Sequence, residues 1–468
     1  MFEQPRWQPL SLIPTAVGLT WLWCAGDFGA VGFLFAVAPG LLLLSAGVAA
    51  LLWPGDTRIP QYAALGSVIG MFCVLPVSFV AGTGTALLLL FGAVAGFVAA
   101  GAISLRWEPH VEEVPIPAPS LRLASKVALD DATLALMGIT VPFPVGATRQ
   151  RICREVGELH ERFSALGWLD KPQAYHQLPP PLEDPVCRTR RSRDLAFEHL
   201  VFSSEYEPWE GEPGRERWLS YTPNRTAYAW VLRHTEAERP WLVCFTGYRM
   251  GRPAYDFFAL SARWLHHQLG LNLLIPVLPL HGPRRIHWIS GDGFISGDTA
   301  DTLHAVSQAV WDVRRLMSWL RAQSSAKVGV FGLSLGGYIA SLSVSLETGF
   351  ACAIAGIPLS DIAGIFWRHM PDPQIRCFEH LGVRCNEVAE VLRVVSPLAL
   401  PPQLPRERRY VFGAVADRVV TAQQTRDLWR HWERPKHLWV QSSHVYARRE
   451  PAVRDFIEAA LRESDLAL

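Results

Sequence analysis

One serine in this chain lies in a sequence context that is typical of a reactive hydroxyl. Ser334 is the middle residue of Gly332-Leu333-Ser334-Leu335-Gly336, which follows the apolar run 328–331 and opens a helical stretch. A tight strand-to-helix turn exposes such a serine above a sheet, and flanking glycines let the neighbouring backbone approach. The N-terminus of the following helix adds partial positive charge where an oxyanion would form. We therefore predict that Ser334 is a nucleophile.

A serine hydroxyl becomes reactive only when a base accepts its proton. The predicted base is His444, which lies in a polar loop after the predicted final strand 438–441 and before the closing helix. A loop at a strand end can direct an imidazole at the nucleophile. The chain has 15 histidines, and the two competitors, His431 and His437, fall on a predicted helix and at a strand start.

An acid must orient the imidazole and stabilise its cation. Asp417 follows the predicted strand 410–414 and is the predicted acid. Its rival is Asp361, which follows the predicted strand 351–357. The adjacent Arg418 leaves a third interpretation open, in which Asp417 only forms a surface ion pair.

The order of these three residues, Ser334, Asp417 and His444, resembles that of the α/β-hydrolase superfamily of serine esterases and lipases. The resemblance covers about residues 197–463, and the glycine-flanked serine is its most specific part. It implies an α/β-hydrolase fold and catalysis through an acylated serine.

The same resemblance implies two donors to the oxyanion. One is the backbone N–H of Leu335. The other comes from the loop after the predicted strand 241–245, at Gly247 and Tyr248. There Thr246 stands where the family usually has histidine, which leaves the placement of the substrate open.

The elements around these residues alternate between strands and helices. Strands buried on both faces and separated by helices imply a mainly parallel sheet covered by helices. The predicted strands are 197–203, 227–232, 241–245, 271–280, 327–333, 351–357, 410–414 and 438–441, the first two forming an antiparallel pair. The predicted helices are 254–268, 299–323, 336–346, 422–432 and 451–461.

Two further segments are candidates for the rim of the site. His281, after the strand 271–280, either shapes the pocket or is an ordinary loop histidine. Residues 359–400, with Trp367, Met370 and Phe378, either form a cap over Ser334 or pack as ordinary core.

The first 105 residues have a different composition. Their charged side chains are Glu3, Arg6, Asp27, Asp56 and Arg58. Four apolar stretches, at about 10–25, 28–53, 62–81 and 85–105, predict an all-α transmembrane bundle, since a span needs about 20 apolar residues. The small residues of 92–101 suit close helix packing in lipid.

Four spans place both ends of the bundle on one side of the membrane. Arg6, Arg58 and Arg106 then share that side and Asp27 lies on the other, so the positive-inside rule predicts a cytoplasmic catalytic domain. Three spans would move that domain to the opposite face.

A connector joins the bundle to the catalytic part. Alternate prolines at 115–119 predict a stiff linker, and two helices follow. An apolar stripe on the second helix predicts packing on the catalytic domain rather than on lipid; its members are Ile152, Val156, Leu159, Phe163 and Leu166. After a second linker at 179–181, a basic cluster either contacts anionic lipid or is a solvated loop; its members are Arg188, Arg190, Arg191 and Arg193. The predicted domains are 1–106, 107–196 and 197–468.

Composition excludes several functional classes. The net charge of +1 gives no basic excess for nucleic acid. The eight cysteines show neither paired spacing nor a zinc pattern, which favours free thiols. Metal clusters, phosphate-binding loops and dinucleotide fingerprints do not stand out, so no cofactor is predicted.

The sequence therefore predicts a membrane-anchored serine hydrolase of the carboxylesterase or lipase type. Its partners would be a small-molecule or lipid ester and the membrane lipids, and amide or thioester substrates stay open. Three alternatives remain: an acyltransferase with the same residues, a non-catalytic membrane scaffold, and a transport role for the spans. The sequence leaves the oligomeric state unknown.

Overall fold

The computed structural model describes residues 8–141, 143–235 and 238–467, so Glu3 and Arg6 lie outside the described residues. The strands are β1 (Val186–Ser192), β2 (Leu195–Ser203), β3 (Thr226–Leu232), β4 (Trp241–Phe245), β5 (Asn272–Pro276), β6 (Val328–Leu333), β7 (Phe350–Gly356), β8 (Arg409–Ala414) and β9 (Lys436–Val440). The helices are α1 (Leu12–Ala25), α2 (Gly29–Leu52), α3 (Arg58–Trp107), α4 (Leu121–Thr140), α5 (Gly146–Ala165), α6 (Arg215–Ser220), α7 (Pro253–Ala259), α8 (Thr299–Gln323), α9 (Leu335–Leu346), α10 (Ile362–His369), α11 (Asp372–His380), α12 (Cys385–Leu392), α13 (Ala422–His431), α14 (His444–Ala447) and α15 (Pro451–Glu463).

The chain divides into two compact units, each made of three segments. The first unit consists of Met1–Thr140, Gly413–Gln423 and Trp439–Glu450. The second consists of Val141–Phe412, Gln424–Leu438 and Pro451–Leu468. The division passes through β8 and β9, whose last residues belong to the first unit.

The strands form one mixed sheet in the order β1-β2-β3-β5-β4-β6-β7-β8-β9. The ladders β1–β2, β2–β3 and β3–β5 are antiparallel, whereas β4 is parallel to β5 and β6, and β7 is parallel to β6 and β8. Strands β4, β5 and β6 are buried along their whole length, as expected for parallel strands covered by helices. This nine-stranded sheet with its helices fits an α/β-hydrolase fold.

Two predicted elements need correction. The basic cluster at 188–193 is not a loop, because most of it lies in β1, an exposed edge strand that pairs with β2. Positive charges on an edge strand discourage pairing with another chain. The predicted helix 254–268 ends at Ala259, since Ser261 has a φ of 54°, and a π-helical turn follows at Trp264–Gln268.

The connector helix α5 packs within the second unit. Ile152, Val156, Leu159 and Phe163 are buried, which confirms the predicted stripe, and Leu166 is exposed. The segment 359–400 contains α10, α11 and α12, with Met370 and Phe378 buried and Trp367 against Phe378 at a ring distance of 5.9 Å. A cap over Ser334 stays a prediction.

The four predicted apolar segments appear as helices in the first unit. The backbone breaks inside α3 at Gly82, where φ is 73° and ψ is 158°. The two halves of α3 fold back on each other and pack closely, as a Cβ on Gly96 would lie only 2.9 Å from Ser67 Oγ. By length and composition α2 and α3 are long and apolar enough to cross a membrane, a criterion that core helices of soluble proteins also meet.

Close helix packing holds this unit together. A Cβ on Gly101 would lie 1.9 Å from the carbonyl oxygen of Ala124, so α3 and α4 approach at a distance that only glycine permits. Ala100 and Ala128 are buried in the same cluster. The side of α4 next to α3 is therefore fixed in position.

Candidate active site

Ser334 occupies a strained turn between β6 and α9. Its φ of 57° and ψ of −119° lie in a region that residues with a side chain seldom adopt. A Cβ on Gly332 would lie 2.0 Å from Gly336 O, and a Cβ on Gly336 would lie 2.2 Å from Phe245 O. Every other residue from Val328 to Ser345, a range that the structure describes in full, is buried. Ser334 alone in this range is partly exposed.

The loop after β4 lies beside Ser334. A Cβ on Gly247 would be 3.5 Å from Ser334 Cβ and 3.9 Å from its Oγ. The phenol of Tyr248 donates to Asp292 Oδ1 at 3.4 Å. Burial and the charge of Asp292 raise the pKa of Tyr248 to about 12, so the phenol stays protonated. Because the phenol is engaged with Asp292, the backbone N–H of Tyr248 is the group suited to stabilise an oxyanion. The N–H of Leu335, at the start of α9, is the second such group.

His281 is a packing residue below this loop. It is buried between Tyr248 and Phe294, with ring distances of 6.0 and 5.4 Å, and its Nδ1 lies 2.9 Å from Pro279 O. Burial lowers the pKa of His281 to about 4, so the ring is neutral at pH 7.

The rival residues have other partners within the second unit. Asp361 caps α10, accepting from the backbone N–H of Gly364 at 2.9 Å. His431 Nε2 lies 2.9 Å from Leu400 O, and the His437 ring packs on Trp429. These contacts explain the three side chains without a catalytic role.

Asp417 and His444 are brought together in the first unit. His444 Nδ1 lies 2.6 Å from Asp417 Oδ2. The other oxygen, Oδ1, accepts from the backbone N–H groups of Val419 at 3.0 Å and Val420 at 2.8 Å. The carboxylate is thus held by its own loop. With Nδ1 as the donor to Asp417, Nε2 becomes the basic nitrogen of the imidazole.

Opposing effects act on this histidine. Burial by itself lowers the pKa of His444, but the charge of Asp417, the hydrogen bond to it and the charge of Asp130 raise the pKa above the ordinary value. An imidazole stabilised as a cation is what a general base needs when it takes a proton from serine.

The structure corrects the interpretation of Arg418 as half of a surface pair. Its side chain is 2% exposed and pairs with Asp131 and Glu108. Burial lowers its pKa to about 10, so it is still a cation at pH 7. Asp417 therefore faces His444 rather than its neighbour in sequence.

Asp130 is a residue of this site that the sequence analysis missed. It lies on α4, is fully buried, and contacts the His444 loop, the segment that runs from the end of β9 into the start of α14. The signal was present as two adjacent acids, Asp130 and Asp131, within the apolar stretch 127–136. Nothing local relates that stretch to a loop more than 300 residues away.

A cavity of about 550 Å³ borders the acid within the first unit. It is lined mainly by apolar residues from the end of α3, the proline-rich linker and the start of α4, together with Val415, Asp417 and Arg418. Across the three described ranges, no group of three or more His, Cys, Asp or Glu side chains is arranged to hold a metal ion.

Comparisons with known proteins give the following relatives. No family model matches the chain. Two curated proteins of Mycobacterium tuberculosis are each 39% identical over 394 residues, which is 81% of this chain and 92% of theirs. They are "Uncharacterized protein MT2702" of strain CDC 1551 / Oshkosh and "Uncharacterized protein Rv2627c" of strain ATCC 25618 / H37Rv.

Among solved structures, similar chains include two acetyl xylan esterases. That of Thermoanaerobacterium sp. JW/SL YS485 is 16% identical, covering 64% of this chain and 98% of its own, with a TM-score of 0.42. That of Paenibacillus sp. R4 is 14% identical, covering 72% and 99%, with a TM-score of 0.43.

Proposed function

The chain belongs to the family of the Mycobacterium tuberculosis protein Rv2627c, and we propose that it is a serine hydrolase that cleaves a carboxylic ester. The observation that carries the proposal is the strained, partly exposed Ser334 at the β6–α9 turn. The hydrogen bond between Asp417 and His444 supports it, because that pair is the acid and base that such a serine requires.

In the proposed reaction, Ser334 Oγ attacks the ester carbonyl carbon while His444 Nε2 takes the hydroxyl proton. The oxyanion is stabilised by the backbone N–H groups of Leu335 and of the Gly247-Tyr248 loop. The intermediate collapses, the alcohol leaves with the proton from His444, and the acyl group stays on Ser334. Water, deprotonated by His444, then attacks the acyl carbon; the bond to Ser334 Oγ breaks, His444 returns the proton to that oxygen, and the carboxylic acid is released.

We propose that the N-terminal helices anchor this enzyme in a membrane. Exposed large apolar side chains concentrate on α1, α2 and α3, including Phe72 at 77% and Phe79 at 82% exposure. Soluble monomers rarely expose continuous apolar patches of this kind. Trp23 and Trp53, at the ends of α1 and α2, are 84% and 65% exposed, as expected of residues at a membrane interface.

A membrane-partitioned ester is the proposed substrate class. A membrane anchor would expose the enzyme to such molecules, and the cavity beside Asp417 offers an apolar lining. Transfer of the acyl group to an alcohol instead of water would use the same residues, and product analysis with and without added alcohol separates the two reactions.

Fluorophosphonate labelling of the detergent-solubilised full chain tests the function. We expect labelling of the wild type, none of Ser334→Ala, and a strong loss in His444→Ala. Ser341→Ala is the matched control, because Ser341 lies on α9 and only donates to Gly337 O. A folded wild type that does not label would contradict the proposal and favour a non-catalytic scaffold.

Cys187 tests the cytoplasmic orientation, since this thiol is exposed on β1. An impermeant maleimide should label the wild type only after cells are permeabilised, and Cys187→Ser should lack that increment. Labelling of Cys187 in intact cells would contradict the orientation.

A further inference from the structure

Asp130 is a buried carboxylate whose partners lie on the catalytic loops. Its Oδ2 accepts from the backbone N–H of His444 at 2.7 Å and of Arg418 at 3.2 Å. Its Oδ1 accepts from the backbone N–H of Val445 and the hydroxyl of Ser443, both at 2.9 Å. One side chain thus connects the loop of the base with the loop of the acid.

Burial of this carboxylate is costly unless hydrogen bonds compensate it. Burial and the charge of Asp417 raise the pKa of Asp130 to about 6, while His444 and the hydrogen bonds oppose that rise. At pH 7 the ionised form is therefore present, and its stabilising donors come mainly from the residues around His444. This is the arrangement of a carboxylate that holds a loop.

A second residue of α4 acts on the same loop. The carbonyl oxygen of Lys126 lies 2.8 Å from the Ser443 hydroxyl oxygen and shares its hydrogen with Asp130. The Lys126 ammonium donates to Gln441 O at 3.3 Å and pairs with Glu450. One face of α4 thus contacts the segment 441–450 at several points, while α4 also packs on α3 and contacts the loop of Arg418.

We propose that Asp130 is the positioning residue for His444, and that the N-terminal helical segment is therefore part of the catalytic apparatus as well as an anchor. The proposal rests on the hydrolase function proposed above. Two N–H donors, of His444 itself and of Val445, fix the backbone from which the imidazole projects. Reaction rates depend steeply on such placement, since an error of 1 Å can cost about 10²-fold.

The charges around the imidazole also follow from this arrangement. Asp417 and Asp130 face His444 and both favour its cation. Further out, Lys126 is paired with Glu450, and Arg418 with Asp131 and Glu108. Removal of the Asp130 charge therefore makes His444 easier to deprotonate, in addition to loosening its loop.

The test is the rate of fluorophosphonate labelling of the detergent-solubilised full chain as a function of pH. The rate rises with pH as His444 loses its proton. Asp130→Asn keeps one acceptor oxygen but no charge, so we expect a midpoint at lower pH and a plateau about tenfold lower. Asp130→Ala removes both acceptors, so we expect the same shift in midpoint and a plateau about 100-fold lower.

Asp131→Asn is the matched control. Asp131 is equally buried on the same helix and accepts from Ser104 and Arg418 rather than from the His444 loop. We expect a loss of thermal stability in this variant with the midpoint and plateau of the wild type. A purely structural role for Asp130 would give this same result in Asp130→Asn.

Three outcomes overturn the proposal. A wild-type midpoint and plateau in Asp130→Asn would overturn it and leave the hydrolase function standing. Absence of labelling in the folded wild type would overturn both. If neither Asp130 variant folds, Ser443→Ala decides, because it removes one donor and keeps the charge. For Ser443→Ala we expect a plateau of the labelling rate about fivefold lower, with the midpoint of the pH profile unchanged from the wild type. An unchanged plateau would overturn the proposal.

Discussion

Replacement of Asp417 by asparagine should disable the base while leaving the acid's loop in place. In Asp417→Asn the amide oxygen still accepts from the N–H groups of Val419 and Val420. The amide nitrogen then faces Nδ1 of His444, which is 2.6 Å from the carboxylate in the wild type. Nδ1 must accept, so the neutral ring carries its hydrogen on Nε2 and cannot take the proton of Ser334.

Two effects set the size of the loss. A hydrogen bond to a charged group contributes about 1.5–3 kcal/mol, so its absence should slow the step that forms the imidazolium by about 10- to 150-fold. The wrong tautomer adds to this, and together the reaction should slow by about 10³- to 10⁴-fold. The charge of Asp417 and the hydrogen bond to it then no longer raise the pKa of His444, so the residual activity should have its midpoint at lower pH.

The assay is the pH profile of fluorophosphonate labelling. Asp427→Asn is the matched control, because Asp427 is 33% exposed, lies on α13 and pairs with Arg426. We expect that variant to label like the wild type. A wild-type labelling rate in folded Asp417→Asn would refute the assignment of the acid.

Three further predictions concern stability. Gly336→Ala should cost about 3 kcal/mol in thermal unfolding, because its Cβ would collide with the last carbonyl of β4, whereas Gly157→Ala, with open space on α5, should be stabilising by roughly 0.5–1 kcal/mol; equal effects would contradict this packing. Burial raises the pKa of Asp256 to about 6, so the folded state binds the proton more tightly than the unfolded state does. The stability that this group contributes is therefore lost as the pH rises from about 4 to about 6. In urea unfolding at a series of pH values, Asp256→Asn should remove about 3 kcal/mol of that decrease in the free energy of unfolding. An unchanged dependence of the free energy of unfolding on pH would count against the prediction. Gly101→Val should separate α3 from α4 and prevent stable folding, while Gly84→Ala, in open space, should be tolerated; a stable Gly101→Val would disprove the contact.

Much of the sheet could be predicted because its signals are local. Each buried strand is an apolar run between turn residues, and the Ser334 motif marks a strand–helix junction by itself. The break in α3 was also signalled, since Gly82 and Gly84 separate two apolar stretches.

The errors lie where tertiary contacts decide. The sequence of β1 is mainly basic and polar and its residues are mostly exposed, so no alternation of apolar and polar residues marks it as a strand. It becomes one because β2 offers a free edge. Asp130 was missed for a related reason, since its partners at 418 and 443–445 are distant in sequence.

The central claim is a covalent acyl group on Ser334. A brief incubation of the detergent-solubilised full chain with p-nitrophenyl butyrate, followed by acid quenching and peptide mass spectrometry, tests it directly. We predict a butyryl group on the peptide that contains Ser334 in the wild type, and none in Ser334→Ala. Turnover of the ester with the acyl group on another peptide would contradict the account. So would turnover with no acylated peptide and a Ser334→Ala variant that remains active.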